Sequence, residues 1–236
     1  MKKQKPESIE NRWDVLYRDY PEVYDEFAVV PRAPSINAVQ KFHLEGKIIA
    51  DIGSGTGDSS FEYAKSAKEV VGIEIEKPML NVAEKLAKER NIKNVKFVLG
   101  DARKIPLEDG SVDAVIGATL AINPPEEFKD FVKEAERVTR NGGVMILTNI
   151  APGWYGGELN KIIGEDNSWD EKIDQILEDC RFEYEDLFQD QEYGSLDKII
   201  RTYGFIFGKK AIEYLKTHTK TNIKWKLRIR YKKVEK

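Results

Sequence analysis

Apolar and polar positions change their period along this chain, and the changes mark its elements. From Lys47 to about Ala151, short apolar runs alternate with amphipathic stretches. Lys47-Ile-Ile-Ala-Asp51, Val70-Val-Gly-Ile-Glu74 and Val112-Asp-Ala-Val-Ile-Gly117 have the length and continuity of strands buried on both faces. Behind Pro78, which suits a first helical turn, Met79, Val82, Ala83 and Leu86 recur on one helix face until Asn91. Phe128, Phe131, Val132, Ala135 and Val138 repeat the pattern before Asn141-Gly142-Gly143 stops it. Strands alternating with helices predict an α/β fold, a doubly wound parallel sheet covered on both sides.

The flanks differ from this core. Residues 7–45 predict an aromatic helix, with Trp13, Tyr17, Tyr20 and Tyr24 at helical spacing until Pro21 interrupts, then a turn-rich stretch over Val30-Pro-Arg-Ala-Pro34. Beyond Pro152 the pattern predicts a glycine-rich connection, a helix near 170–179, a strand near 181–188, two short helices between 195 and 216, and a last alternating strand over 223–232. The chain divides into an N-terminal helical cap (1–45), a ligand-binding core (46–152) and a C-terminal completion of the sheet with a helical insertion (153–236).

With 236 residues, 41% of them hydrophobic and 33% charged, the chain suits one domain with an elaboration. No run approaches the roughly 18 apolar residues of a membrane span. Pro6, Glu7 and Glu10 stand where a signal peptide would be apolar, so a cytoplasmic chain is expected. One cysteine and two histidines rule out an internal disulfide and cysteine-based zinc coordination, and no metal is expected. Cys180, in Glu178-Asp179-Cys180, sits among charges that raise a thiol's pKa and is a poor nucleophile.

Charge is unevenly spread: net −3 over residues 1–157, −9 over 158–203 and +9 over 204–236. A basic tail suggests a nucleic-acid surface. Its cations, however, alternate with Trp225, Leu227, Ile229 and Tyr231, which is strand spacing, and Glu183 and Glu185 are expected to face them across a ladder.

The candidate chemistry lies where the first strand runs into Gly53-Ser-Gly-Thr-Gly57 and a helix begins. Such glycines let a ligand approach the backbone, and the helix start offers free N–H groups. Glu74, 21 positions after Gly53, ends the second strand where nucleotide-binding folds place the acid that accepts from ribose hydroxyls. A nicotinamide dinucleotide would set its pyrophosphate near Asp51 and Asp58, at a repulsion of about 1 kcal/mol or more per close pair. S-adenosylmethionine, with its ammonium and sulfonium, suits an acidic rim.

At these residues the sequence resembles the class I S-adenosylmethionine-dependent methyltransferases, in particular the branch with quinone-biosynthesis and other small-molecule enzymes. Ile49 to Gly57 is similar to the first motif, Val71-Gly-Ile-Glu74 to the second, and Val98-Leu-Gly-Asp-Ala102 with Ile105 to Asp113 to the adenine-binding segment. Phe131 to Gly143 is similar to the helix and turn before strand five. The resemblance implies a Rossmann-like seven-stranded sheet, mostly parallel, whose antiparallel last strand (223–232) lies beside strand five with 181–188 at the edge. It also implies roles. Asp51 would face the methionine ammonium, with backbone at Gly53, Ser54, Gly55 and Gly57 against the ligand. Glu74 would take the ribose hydroxyls with Ile75 beside it, Asp101 the adenine amino group, and the Ala102 amide a ring nitrogen. Gly117 and Ala118 would border the methionine portion.

Methyl transfer from a sulfonium is a direct displacement, for which orientation supplies most of the acceleration. The histidine that many relatives carry after strand four is replaced here by Leu120-Ala-Ile-Asn123, and no catalytic base is assigned. Asn123-Pro124-Pro125 is similar to an amide-gripping motif of amino methyltransferases but is displaced along the chain, and reads first as a helix entry. Asn123, Tyr17, Tyr24, Trp154 and Tyr155 are candidate substrate contacts. A small-molecule acceptor is the leading expectation. RNA or protein as acceptor, a nicotinamide oxidoreductase and a cofactor-binding protein without catalysis follow in that order.

Overall fold

The apolar runs form the strands of one sheet in a computed structural model that describes residues 15–16 and 19–236, the side chains of 21, 22, 24, 25, 28 and 31 excepted. The strands are β1 (Ile48–Ile52), β2 (Glu69–Glu74), β3 (Val95–Leu99), β4 (Val112–Ala118), β5 (Thr139–Ile150), β6 (Glu183–Glu192) and β7 (Asn222–Lys233). Their order is β3-β2-β1-β4-β5-β7-β6. β3, β2, β1, β4 and β5 pair in parallel, and β7 runs antiparallel between β5 and the edge strand β6. The strand order reverses between β1 and β4, which makes the carboxyl ends of those strands the natural crevice for a ligand.

Helices cover both faces. α1 (Pro21–Lys41) and α2 (Asp58–Ala64) lie on one side, where Ala38, Val39 and Tyr63 pack on Ile49, Val70, Ala114, Ile116 and Ile146. α3 (Lys77–Glu89) follows β2. On the opposite side α4 (Phe128–Val138) presents Phe128, Phe131, Ala135 and Val138 to the sheet, and Phe131 is fully buried. Past the short α5 (Asn160–Ile163), α6 (Ser168–Asp179) extends that layer with Ile173, Ile176 and Leu177. A second core forms around Trp225, where Phe27 and Val30 of α1 meet Tyr203 and Phe207. The latter two belong to a nearly continuous helical stretch: α7 (Leu196–Ile199), a π turn (Ile200–Gly204) and α8 (Phe205–His218).

Three expectations are corrected. The stretch 30–34 is helical, not a turn: α1 runs through Pro31 and Pro34. Each proline removes one intrahelical bond, yet Val30, Ala38 and Val39 bury against the sheet, and Ser35 Oγ donates to the Arg32 carbonyl at 2.7 Å. Tertiary packing outweighs the local proline signal.

The second correction is one of register. Glu183 and Glu185 lie opposite Tyr231 and Ile229, on the other face from the arginines. The acids that meet them are Asp186, directly opposite Arg228, and Asp174 of α6, which bonds both Arg228 and Arg230. A one-residue offset in a strand exchanges faces completely. Third, Asn141-Gly142-Gly143 follows the end of α4 at Val138 and lies within β5, where the register skips between the Val112–Thr139 and Ala114–Val144 pairs.

Candidate functional site

The turn after β1 is left-handed at Gly53 (φ 71°), Gly55 (φ 55°) and Gly57 (φ 91°), a conformation that favours glycine. A β-carbon at Gly57 would also lie 2.7 Å from the Phe97 ring. The N–H groups of Gly53 and Ser54 both donate to the Ile73 carbonyl, at 2.8 and 3.1 Å, so β2 holds the start of the turn.

Glu74 holds its middle. Gly55 N–H donates to Glu74 Oε2 and Glu76 N–H to Oε1, each at 2.8 Å. Burial raises the Glu74 carboxyl above its ordinary pKa, and these backbone donors work in the opposite direction. A carboxylate has about four acceptor positions, so acceptor capacity remains for a ligand.

Four strand ends meet at a cleft of about 180 Å³. Ile52 and Gly53 come from β1, Ile73 to Ile75 from β2, Gly100 to Arg103 from the segment after β3, and Leu120 to Asn123 from the loop after β4. Ile75 is an exposed apolar side chain at the rim. The loop after β4 starts with a strained residue: Thr119, β-branched, has φ 53° while its N–H donates to the Thr148 carbonyl at 2.7 Å. α6 supports the same loop, since Trp169 Nε1 donates to the Ile122 carbonyl at 3.3 Å.

Of the residues expected at a cofactor site, Gly53, Glu74, Ile75, Asp101 and Ala102 line this cleft, and Asn123 lines it too. Gly55 and Gly57 shape the turn behind it. Ser54 is buried with its hydroxyl unpartnered. Gly117 and Ala118 are buried within β4, and the space over Gly117 is filled by Leu147.

Asp51 is 1% exposed and accepts from Ser60 Oγ at 2.5 Å, and burial pushes its carboxyl up to about 7. Asp58 is bridged by Arg32 and Arg90 at 3.5 and 3.9 Å. The acidic rim expected of these two residues is therefore largely neutralised. The carboxylates that face the cleft are Glu74 and Asp101.

Among the candidate substrate contacts, Tyr17 lies outside the described residues, as does the Tyr24 side chain. Trp154 and Tyr155 pack at the second core, Trp154 edge-on to Phe188 and Tyr155 edge-on to Phe207. His43 and His218 are exposed, and His218 stacks on Tyr214. Burial is the largest influence raising the Cys180 thiol, ahead of the neighbouring acids. The sequence reading missed Arg103, whose position beside Asp101 carries no pattern of its own, and Thr119, whose backbone conformation no residue type announces. No helix of the described residues is long and apolar enough to cross a membrane.

Residues 43–198 match a family described as a methyltransferase domain. The chain is 36% identical over 107 residues to a demethylmenaquinone methyltransferase of Lactococcus lactis, covering 44% of this chain and 42% of that protein. It is 30% identical over 101 residues to YcgJ of Bacillus subtilis, described as an uncharacterized methyltransferase, covering 43% and 40%. The crystal structure of YcgJ superposes with a TM-score of 0.64 at 19% identity over 86% of this chain and 99% of that one, a likeness of fold. The chain matches less than half the length of these two curated relatives.

Proposed function

The chain belongs to the methyltransferase domain family, and from that premise we propose that it transfers a methyl group from S-adenosylmethionine to a small-molecule nucleophile. The observation that carries this reading is the convergence of Glu74, Ile75, Asp101 and Ala102 on one cleft at the strand-order reversal. Two carboxylates, an apolar rim residue and the short Ala102 side chain suit a nucleoside with ribose hydroxyls and an amino-bearing base, and they disfavour phosphate.

In this reading Glu74 holds the ribose, Asp101 and the Ala102 amide read the base, and Ile75 covers its face. Bound there, S-adenosylmethionine supplies an electrophilic methyl on a sulfonium. The chain's own part is orientation and exclusion of water, to which the Leu120–Asn123 wall contributes. No general base is assigned, since both histidines stand away from the cleft.

A small acceptor is favoured over RNA by the state of the basic strand. On β7, Lys226 and Arg228 pair with Asp186, Arg228 and Arg230 with Asp174, and Lys232 with Glu136. That charge closes the fold.

Calorimetry with S-adenosylhomocysteine and with NADH tests the cofactor: heat from the first alone is expected, and heat from NADH alone overturns the assignment. Incubation with methyl-labelled S-adenosylmethionine and a fractionated extract tests the acceptor. Label should enter the metabolite fraction; label in RNA or protein replaces the small-molecule reading.

A further inference from the structure

Arg103 joins the two walls of the cleft. Its Nε lies 2.9 Å from Asp101 Oδ1 and 3.0 Å from Oδ2, its Nη2 bonds Oδ2, and its backbone N–H donates to Oδ1 at 2.8 Å. Its Nη1 reaches across to Glu127. Asp101 sits on the segment after β3, and Glu127 in the 3-10 turn Pro125–Glu127 that ends the loop after β4. Arg103 itself lines the cleft between them.

Nε carries a single hydrogen, directed at the nearer Oδ1, and Nη2 directs one at Oδ2, so the guanidinium fork takes one lone pair on each Asp101 oxygen and the backbone N–H takes the second on Oδ1. One acceptor position is left, on Oδ2. A carboxylate held this way offers a ligand an acceptor and no donor. An exocyclic amino group satisfies it; a ring carbonyl in the same place would bring two acceptors together and leave both unpaired, the kind of mismatch that costs most in recognition.

We propose that Arg103 is a positioning residue that clasps Asp101 to Glu127 across the cleft and thereby sets its preference for a 6-amino over a 6-oxo purine nucleoside. The inference rests on the S-adenosylmethionine reading and extends it to a residue outside the motifs. The bond from Arg103 also holds the Asp101 carboxyl below the usual carboxylate range, which keeps it ionised and unable to donate. Arg103, Asp101 and Glu127 side chains are each about one-third exposed, 37%, 34% and 36%, so the clasp spans a surface opening and its loss spares the core.

The test is calorimetry on the intact chain with S-adenosylhomocysteine and its deaminated analogue S-inosylhomocysteine, for the wild type, Arg103→Met, Arg103→Lys and Glu127→Gln. The wild type should prefer the adenosyl compound by about 100-fold, and Arg103→Met should cut that preference to below about tenfold with a melting temperature close to wild type. Arg103→Lys, which keeps the charge without the fork, should fall between. Glu127→Gln, which leaves Asp101 untouched, should weaken binding of both compounds by a similar factor.

Should the wild type bind neither compound, the cofactor reading falls and this inference with it. Should the wild type discriminate and both Arg103 variants discriminate equally well, the clasp is refuted while the cofactor reading stands. If Arg103→Met does not fold, Arg103→Lys decides the matter by the same ratio.

Discussion

The carboxylate that ends β2 holds the turn that follows β1: Glu74 Oε2 accepts the Gly55 N–H at 2.8 Å, across nineteen residues of chain. One side chain thus shapes the glycine turn and faces the cleft.

Glu74→Ala should therefore weaken S-adenosylhomocysteine binding by about 1.5–3 kcal/mol, the range for hydrogen bonds to a charged group. Glu74→Gln, which keeps one acceptor oxygen, should lose less. Isothermal titration reads both. Unchanged affinity in the alanine variant would mean that Glu74 serves the turn alone.

Asp51 gives the stability a pH dependence of defined sign. Burial raises its carboxyl from 3.8 in the unfolded chain to about 7 in the folded one. Between those values the folded state holds the proton and the unfolded state does not, so this residue's contribution to stability falls as pH rises from about 4 to about 7. The slope is at most about 1.4 kcal/mol per pH unit, and flat above. Urea unfolding of Asp51→Asn should lose this slope relative to wild type. An identical pH profile in the two proteins would rule out Asp51 as its source.

The ion network under α6 should be costly to break. Asp174 bonds Arg228 at 2.9 Å and also Arg230, whose side chain is 4% exposed. Asp174→Ala leaves the buried Arg230 guanidinium without its hydrogen-bonded carboxylate, and a loss of about 3 kcal/mol is expected in chemical denaturation. Asp186 belongs to the same network, and its bonds to Arg228 pull its carboxyl down to about 2. Its stabilisation is complete above the ordinary carboxylate pKa and is lost as pH falls towards 2, so Asp186→Asn should flatten the acid limb of the stability profile.

Trp169 supports the cleft at one remove. Trp169→Phe keeps an aromatic ring against Phe128 while deleting the bond from Nε1 to the Ile122 carbonyl. A stability loss of about 1 kcal/mol is expected, with a weakened acceptor KM as the Leu120–Asn123 wall loosens. A melting temperature and KM both equal to wild type would show that the loop needs no such anchor.

The alternating core was legible because its signals are local and redundant. β1, β2 and β4 are short, largely apolar runs, with Asp51 and Asp113 as the charged residues inside β1 and β4, that a sheet covered on both faces can bury, and α3 and α4 repeat apolar residues at a period of 3.6. The glycine turn was legible because left-handed backbone at Gly53, Gly55 and Gly57 favours one residue type. The run through Pro31 and Pro34 was not legible, since the burial that overrides two prolines comes from residues far along the chain. Nor was the partner of Arg228, because a strand's pattern states which residues share a face but not the register against its neighbour.

By itself, the sequence determined the strand and helix succession, the glycine turn and the acid after β2, all written in short-range periodicity and in residues whose backbone freedom or charge is intrinsic. Only the tertiary structure decided that Asp51 is buried and protonates near neutrality, that Asp58 is neutralised by two arginines, and that Arg103 spans the cleft from Asp101 to Glu127. The reason is physical: desolvation and ion pairing depend on which distant segments come together, and those distances are set by the packing of the whole sheet and its helices.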